Sequence, residues 1–247
     1  MEHDVFNEVV LPTLYLIIVI IGVIGNLMVI TVVYKSPSVR EQSSSYLFAN
    51  LAIADLMFNF LEIPSQVVVK INHSDHSILG EVGCHIYGST FDLTVTISIY
   101  TIVLMSFDRL FAIVFYSSKL RTLKNTRIAI VIVWILSLIT AISAIFTHTL
   151  QPIKSNSTMM VCTHLPGDDG NIVTIFEAML HFVVPFTILV ILYVIIIWKL
   201  MKSKMENGQI NDQKVRQISK TITMVVTVFF VCWLPYCAFL FLRVSIN

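Results

Sequence analysis

The stretch LMSFDRLFAIV, residues 104–114, sets Asp108 and Arg109 side by side in an apolar run where, from Val82 to Val114, the only other full charge is Asp92. Ionised side chains are costly in such surroundings, and those that persist mark partners, pathways or switches. Adjacent residues on a helix point about 100° apart, so contact within this pair requires Arg109 to bend back toward Asp108. Such a contact can be held at rest and broken when a partner offers the guanidinium something better. Asp55, in FANLAIADLMFNF, is a second charge of this kind; a carboxylate at the bilayer centre costs about 2.5–3.5 kcal/mol on insertion scales. It needs water, a cation or polar neighbours, and Asn26 and Ser98 lie at similar depth in their own apolar runs. Glu62, Asp92 and Glu177 are further acids in apolar segments, and Glu177 shares a helical face with His181 by i,i+4 spacing. The seven histidines are scattered, no His/Cys cluster has metal-ligand spacing, and neither a nucleophile elbow nor a phosphate loop occurs. An enzyme is not expected, nor a cofactor.

The elements that must position these residues are membrane spans. The 247 residues are 56% hydrophobic and only 13% charged, with a mean hydropathy of +0.84, against about 25% charged in a soluble domain. The pattern predicts an all-α fold, a polytopic transmembrane helix bundle in a single domain covering residues 1–247. Spans are expected at about 9–34, 44–70, 82–115, 127–150, 172–201 and 215–243, each long enough for the roughly 20 residues a bilayer requires. The first is not a signal peptide, because acidic Glu2, Asp4 and Glu8 stand where a basic region would precede it. Lipid is therefore one partner. Nucleic acid is not, since the basic residues are thinly spread without aromatic interleaving.

Those basic residues orient the chain. Lys35 and Arg40 follow the first span, Lys119, Arg121, Lys124 and Arg127 precede the fourth, and six more lie between the fifth and sixth, whereas the opposite side carries only Lys70, Lys154 and Arg243. The positive-inside rule then predicts a multi-pass plasma-membrane protein with its N-terminus extracellular. Two glycosylation acceptors, at Asn72 and Asn156, fall in the loops assigned outside. Cys84 opens the third span and Cys162 lies in the second outer loop, where an oxidising compartment favours a disulfide between them. Cys232 and Cys237, inside the sixth span, are read as small packing side chains. Pro185 and Pro235 fall inside the fifth and sixth spans, where a proline removes a donor and kinks the helix. The absence of an internal repeat and of regularly spaced basic residues within a span argues against a transporter or a voltage sensor.

The chain resembles rhodopsin-like (class A) G protein-coupled receptors over essentially its whole length, and neuropeptide receptors most. The pieces that carry the resemblance are Gly25-Asn26 with Val29, Leu51-Ala52-Ile53-Ala54-Asp55, Cys84, Asp108-Arg109, Trp134, Cys162, Pro185 with Tyr193, and Phe229 with Cys232-Trp233-Leu234-Pro235-Tyr236. The resemblance implies that Arg109 engages a heterotrimeric G protein, that Asp108 restrains it at rest and that Tyr193 stabilises the open form. It implies a sodium-binding polar pocket at Asn26, Asp55 and Ser98. Ile99, Pro185 and Phe229 would relay ligand binding to the sixth helix, with Trp233 as a toggle above the Pro235 kink. Aminergic receptors carry an Asp eighteen residues before the arginine; here that position is Phe91, with Asp92 beside it. A peptide is therefore expected before an amine, with Glu62, Gln66, Phe91, Asp92, Val95, Glu177, His181, Tyr236 and Leu240 as candidate contacts. An acidic vestibule suits a basic ligand, such as a peptide with Arg or an amidated C-terminus.

The departures from the family pattern are Leu110, where tyrosine is usual after the arginine, Tyr116 in place of a proline, and Val215-Arg216 where an acid often stands. The sequence also stops at Asn247, before a seventh span, so the 247 residues alone are expected not to signal. A truncated, non-signalling partner that dimerises with a full receptor remains an open alternative, as does a receptor for an amine or, as an opsin, for retinal.

Overall fold

The computed structural model describes residues 11–62, 78–115, 119–152 and 160–207, together with helical residues at 224, 227–228, 231–235 and 238. Helix α1 (Leu11–Lys35) is followed by the short α2 (Pro37–Arg40) and by α3 (Ser43–Met57), which widens into a π turn at Phe58–Glu62. Then come α4 (Ile78–Ile113), α5 (Leu123–Thr147), a hairpin of β1 (His148–Pro152) and β2 (Met160–His164), and α6 (Asp168–Ala178). A second π turn, Met179–Val183, joins α6 to α7 (Val184–Asn207) in one span. Among the described residues, five helices are long and apolar enough to cross a membrane. The chain is a transmembrane helical bundle.

Its surface is apolar because lipid, not water, is the solvent: Ile18, Ile21 and Met28 on α1 and Ile139 and Ile142 on α5 all face outward. Without a hydrophobic force between helices, packing and polar contacts hold the bundle. Helix α4 runs through its centre. Val95, Ile99, Val103 and Leu110 pack on Leu189, Leu192, Tyr193, Ile196 and Leu200 of α7, with Trp233 against the same cluster. A smaller cluster of Ala54, Ile97 and Val133 joins α3, α4 and α5. Helix α4 can bury its many hydroxyls because they bond back into its own turns, as Thr94 does to Thr90 O at 2.8 Å and Thr101 to Ile97 O at 2.6 Å. Helix α5 starts at Thr122, whose hydroxyl accepts from Asn125 N at 3.2 Å and so fills one orphan donor of the first turn.

Both π turns lie one turn ahead of a proline. Pro185 lacks the N–H that would serve the carbonyl of residue 181, and its ring crowds that carbonyl. Where the sequence leads one to expect a simple kink, the chain instead widens over Met179–Val183. Phe58–Glu62 stands in the same relation to Pro64. A wide turn shifts the helical register of everything before it, and Glu62 and His181, within these turns, are 1% and 2% exposed.

The hairpin departs from an all-helical chain. Its strands pair antiparallel with Leu150 opposite Cys162, and Cys162 is bonded to Cys84 with their Cα atoms 5.3 Å apart. The disulfide anchors β2 to the start of α4. Gly88 lets β1 lie against that helix: a Cβ there would come within 2.5 Å of the His148 ring.

Candidate functional site

Polar residues gather at three levels of the bundle. At the end carrying Arg109, Asp108 is only 7% exposed. Its carboxylate accepts from Arg121 Nε at 3.0 Å and Nη2 at 3.3 Å, and from Ser43 Oγ at 3.3 Å. Arg109 is exposed. The expected restraint of Arg109 by Asp108 is therefore replaced by a bidentate pair with the loop residue Arg121. The reason is angular: Asp108 faces α3 and the loop while its neighbour, about 100° round the helix, turns away. Tyr193 ties α7 to α4 through Ser106 Oγ at 2.9 Å. Arg127 ties α5 to α3, donating to Tyr46 Oη at 3.0 Å with its guanidinium 5.0 Å from that ring's centroid.

In the middle, Ser98 Oγ donates to Asp55 Oδ1 at 3.3 Å, and the Asn26 amide, which donates to Gly22 O at 2.9 Å, bears electrostatically on the same carboxylate. The three residues that sequence depth pairs are thus brought together from α1, α3 and α4. One carboxylate, one hydroxyl and one amide form a hard-oxygen donor set that suits sodium and not a thiolate- or imidazole-seeking metal. Sequence reasoning passed over the stronger connection nearby. Asn50 donates to Thr101 Oγ1 at 2.7 Å and accepts from Trp134 Nε1 at 2.9 Å, joining α3, α4 and α5. The signal was available, since Asn50 is an amide in an apolar span only five residues before Asp55. Asn50→Leu is expected to destabilise the bundle by about 1–2 kcal/mol, two bonds at the modest worth measured inside membranes. Thermal unfolding in detergent reads this, and Trp134→Phe should add little in the Asn50→Leu background. A leucine variant as stable as the parent would contradict it.

At the disulfide end, Glu62, Asp92, Glu177 and His181 are each at least nine-tenths buried. Thr90 Oγ1 donates to Glu62 Oε2 at 3.2 Å, and His164 Nε2 lies 3.1 Å from Glu177 Oε2. His181 Nε2 meets Thr96 Oγ1 at 2.9 Å. Glu177 and His181 go to different partners, His181 standing within the π turn at Met179–Val183, where the regular i,i+4 geometry is broken. Glu62 and Glu177 both bear electrostatically on Asp92, whose Oδ1 has no hydrogen-bond partner among the described residues. Phe91 stacks on Tyr87 at 6.3 Å and lies 6.5 Å from Phe58, with Val95 below it in the core. His164, whose ring is 4.5 Å from that of His148, is a site residue sequence reasoning missed, as are Thr96 and Arg121.

Of the relay residues, Ile99 and Trp233 share the main cluster and Pro185 is buried. Pro235 is helical and exposed, and Cys232 is exposed instead of packed inside. Gln66, Asn72, Asn156, Phe229, Tyr236 and Leu240 lie outside the described residues.

Residues 25–247 match the family described as 7 transmembrane receptor (rhodopsin family). The chain is similar to the Neuropeptide Y receptor type 2 of Cavia porcellus, 32% identical over 242 residues, covering 94% of this chain and 62% of that receptor. It is 30% identical over 236 residues to the Allatostatin-A receptor of Bombyx mori, covering 92% and 64% of the two proteins. With the Type-1 angiotensin II receptor of Homo sapiens it shares 30% identity over 244 residues, 97% and 67% of the two lengths. The chain thus spans a little under two thirds of the first two relatives.

Proposed function

The chain belongs to the rhodopsin family of seven-transmembrane receptors, and from that premise we propose that it binds an extracellular peptide and signals through a heterotrimeric G protein. The observation that carries this reading is the state of the Asp108-Arg109 pair. Asp108 is satisfied by Arg121 and Ser43, and Arg109 is exposed at the end of α4. A guanidinium not consumed by its own neighbour is available to a protein partner as a charge-assisted donor. The basic residues cluster at this end and the disulfide lies at the other. That division favours Arg109 in the cytoplasm and the N-terminus outside. Between the two ends, Asp55 with Ser98 and Asn26 would hold sodium at rest, and Ile99, Pro185 and Trp233 would couple the ligand to movement of the sixth helix. The three relatives' names specify peptides, and Phe91 in place of an aspartate supports that class over an amine.

The test reconstitutes the chain, together with a separately supplied seventh span, with a G protein and measures guanine-nucleotide exchange on addition of neuropeptide Y, allatostatin-A or angiotensin II. A peptide of this class should bind and raise exchange. Arg109→Ala should cut the stimulated rate by about 30-fold or more, as removal of a desolvated charged contact does, with peptide binding unchanged. Exchange that survives Arg109→Ala would sink the coupling role. Absence of exchange combined with co-purification of a full-length receptor would favour the non-signalling partner instead.

A further inference from the structure

We propose that a cavity at the end of the bundle carrying Arg109 binds a single-chain anionic amphiphile, a fatty carboxylate whose tail lies among α3, α4 and α5 and whose headgroup pairs with Arg121. The cavity measures about 230 Å³, larger than the roughly 150 Å³ apolar hole that admits benzene. Most of its lining is apolar: Leu47 of α3, Leu104, Phe107 and Phe111 of α4, Ala129 of α5, and Leu120 of the loop between α4 and α5. Leu104, Phe107 and Phe111 follow i, i+3, i+7 spacing and so share one face of α4. The loop that closes the cavity is pinned from two sides. Arg121 holds Asp108 through two nitrogens, and Asn125 Nδ2 donates to the carbonyls of Lys119 and Leu120 at 3.4 and 3.2 Å. These bonds fix Leu120 and Arg121 in the cavity wall.

Charge complementarity identifies the occupant. A guanidinium carries five donors in a fixed fork. Asp108 takes one from Nε and one from Nη2, and among the described residues the other three have no acceptor. The Arg121 side chain keeps 32% of its surface exposed, so the rest of the fork is open to a second carboxylate. Lys119 and Lys124, both exposed, add positive charge on either side of it in the chain. An apolar cavity beside a basic rim requires a ligand with a tail and an anionic head. Arg121 already carries one carboxylate, which favours a monoanion over a doubly charged phosphate. The volume lies below the about 300 Å³ at which drug-sized pockets begin, which favours one chain over the two of a phospholipid. Bound there, the amphiphile touches the Asp108–Arg121 pair that leaves Arg109 free, at the end of the bundle away from the disulfide.

The test uses the 247-residue chain in phosphatidylcholine nanodiscs, with palmitic acid bearing a diazirine on its tail as photoprobe and mass-spectrometric mapping as readout. Crosslinks should saturate on residues 104–111 and 120–129. Unlabelled palmitate should compete for them, and hexadecanol, its uncharged counterpart, should not. Ala129→Phe fills the cavity and should abolish the saturable labelling. Leu120→Trp, at a loop position 50% exposed, should also block it, and keeps the test decisive should Ala129→Phe fail to fold. The double variant Asp108→Asn with Arg121→Gln removes the headgroup's seat without stranding a charge, and should raise half-saturation by about tenfold. Asp108→Asn alone should lower half-saturation, because it leaves the whole fork to the ligand. Ile142→Phe, on the outward face of α5, should change nothing. Equal competition by hexadecanol, or labelling spread evenly over outward residues such as Ile139 and Ile142, would mean bulk partitioning and overturn the proposal. So would labelling that survives Leu120→Trp, or a double variant that binds like the parent. Stronger competition by phosphatidylserine than by palmitate would overturn the single-chain carboxylate in favour of a phospholipid. Neither peptide nor G protein enters these measurements, so their failure leaves the receptor reading standing, and failure of coupling leaves the amphiphile site standing.

Discussion

A Cys162→Ser variant is expected to lose its hairpin and its ligand-facing end while keeping its helices. The bond closes a segment with a sequence separation of 78, and the chain-entropy relation gives about 4.5 kcal/mol for a loop of that length. That figure is an upper bound in a membrane, where spans that lose tertiary packing stay inserted as helices and the released segment gains less freedom than a free coil. A fall in melting temperature on the order of 10 °C follows. The local consequence is larger than the global one. Strands β1 and β2 have five residues each, and an isolated two-stranded hairpin is marginal at best. What holds this one is the bond to Cys84, the seat of His148 at Gly88, and the contact of His164 with Glu177. Release of β2 withdraws His164 from Glu177, leaving the acidic cluster with less compensation than before. Hydrogen exchange in nanodiscs should show the amides of residues 148–152 and 160–164 approaching free-peptide rates, with α4, α5 and α7 still protected. Retained protection across the hairpin would show that packing alone suffices to dock it.

The bundle was legible because long runs without charge have no other stable use, and the basic residues divide by side. The disulfide was legible because only Cys84 and Cys162 fall where a bond can form. Asp55 and Ser98 could be paired by depth alone, since both sit in continuous helices whose residue count measures height. Legibility failed where the helical count breaks or where contacts cross loops. The i,i+4 relation of Glu177 and His181 assumed a regular helix, and the π turn that starts at Met179 and contains His181 breaks that regularity; the warning was Pro185, four residues beyond His181. The hairpin was not foreseen because its strands are short and depend on contacts outside themselves. Arg121 looked like a topogenic charge and nothing more, because a contact thirteen residues away across a loop leaves no periodic trace.

That last residue carries the second large effect. Arg121→Ala strands the Asp108 carboxylate, 7% exposed, with Ser43 as its remaining hydrogen-bond partner among the described residues. Breaking a fully buried ion pair costs about 3–5 kcal/mol, but the Arg121 side chain keeps 32% of its surface exposed, and solvent screening reduces the expectation to about 2 kcal/mol. Arg109→Ala should change stability by no more than about 0.5 kcal/mol, the usual range for an exposed position. The contrast separates the two arginines: if Arg109 were the restraining partner, the ranking would reverse. A double-mutant cycle with Asp108→Asn isolates the pair, and the cost of Arg121→Ala should fall to a small fraction once the carboxylate is gone. Removing Arg121 also has a functional sign. A stranded carboxylate next to a free guanidinium makes the bent-back contact between Asp108 and Arg109 favourable, and a captured Arg109 is withdrawn from any partner. Arg121→Ala should therefore lower G protein coupling, and Asp108→Asn in the same background should restore it, because no carboxylate remains to capture the arginine. Coupling unchanged by Arg121→Ala would mean that Arg109 stays free without help from the loop.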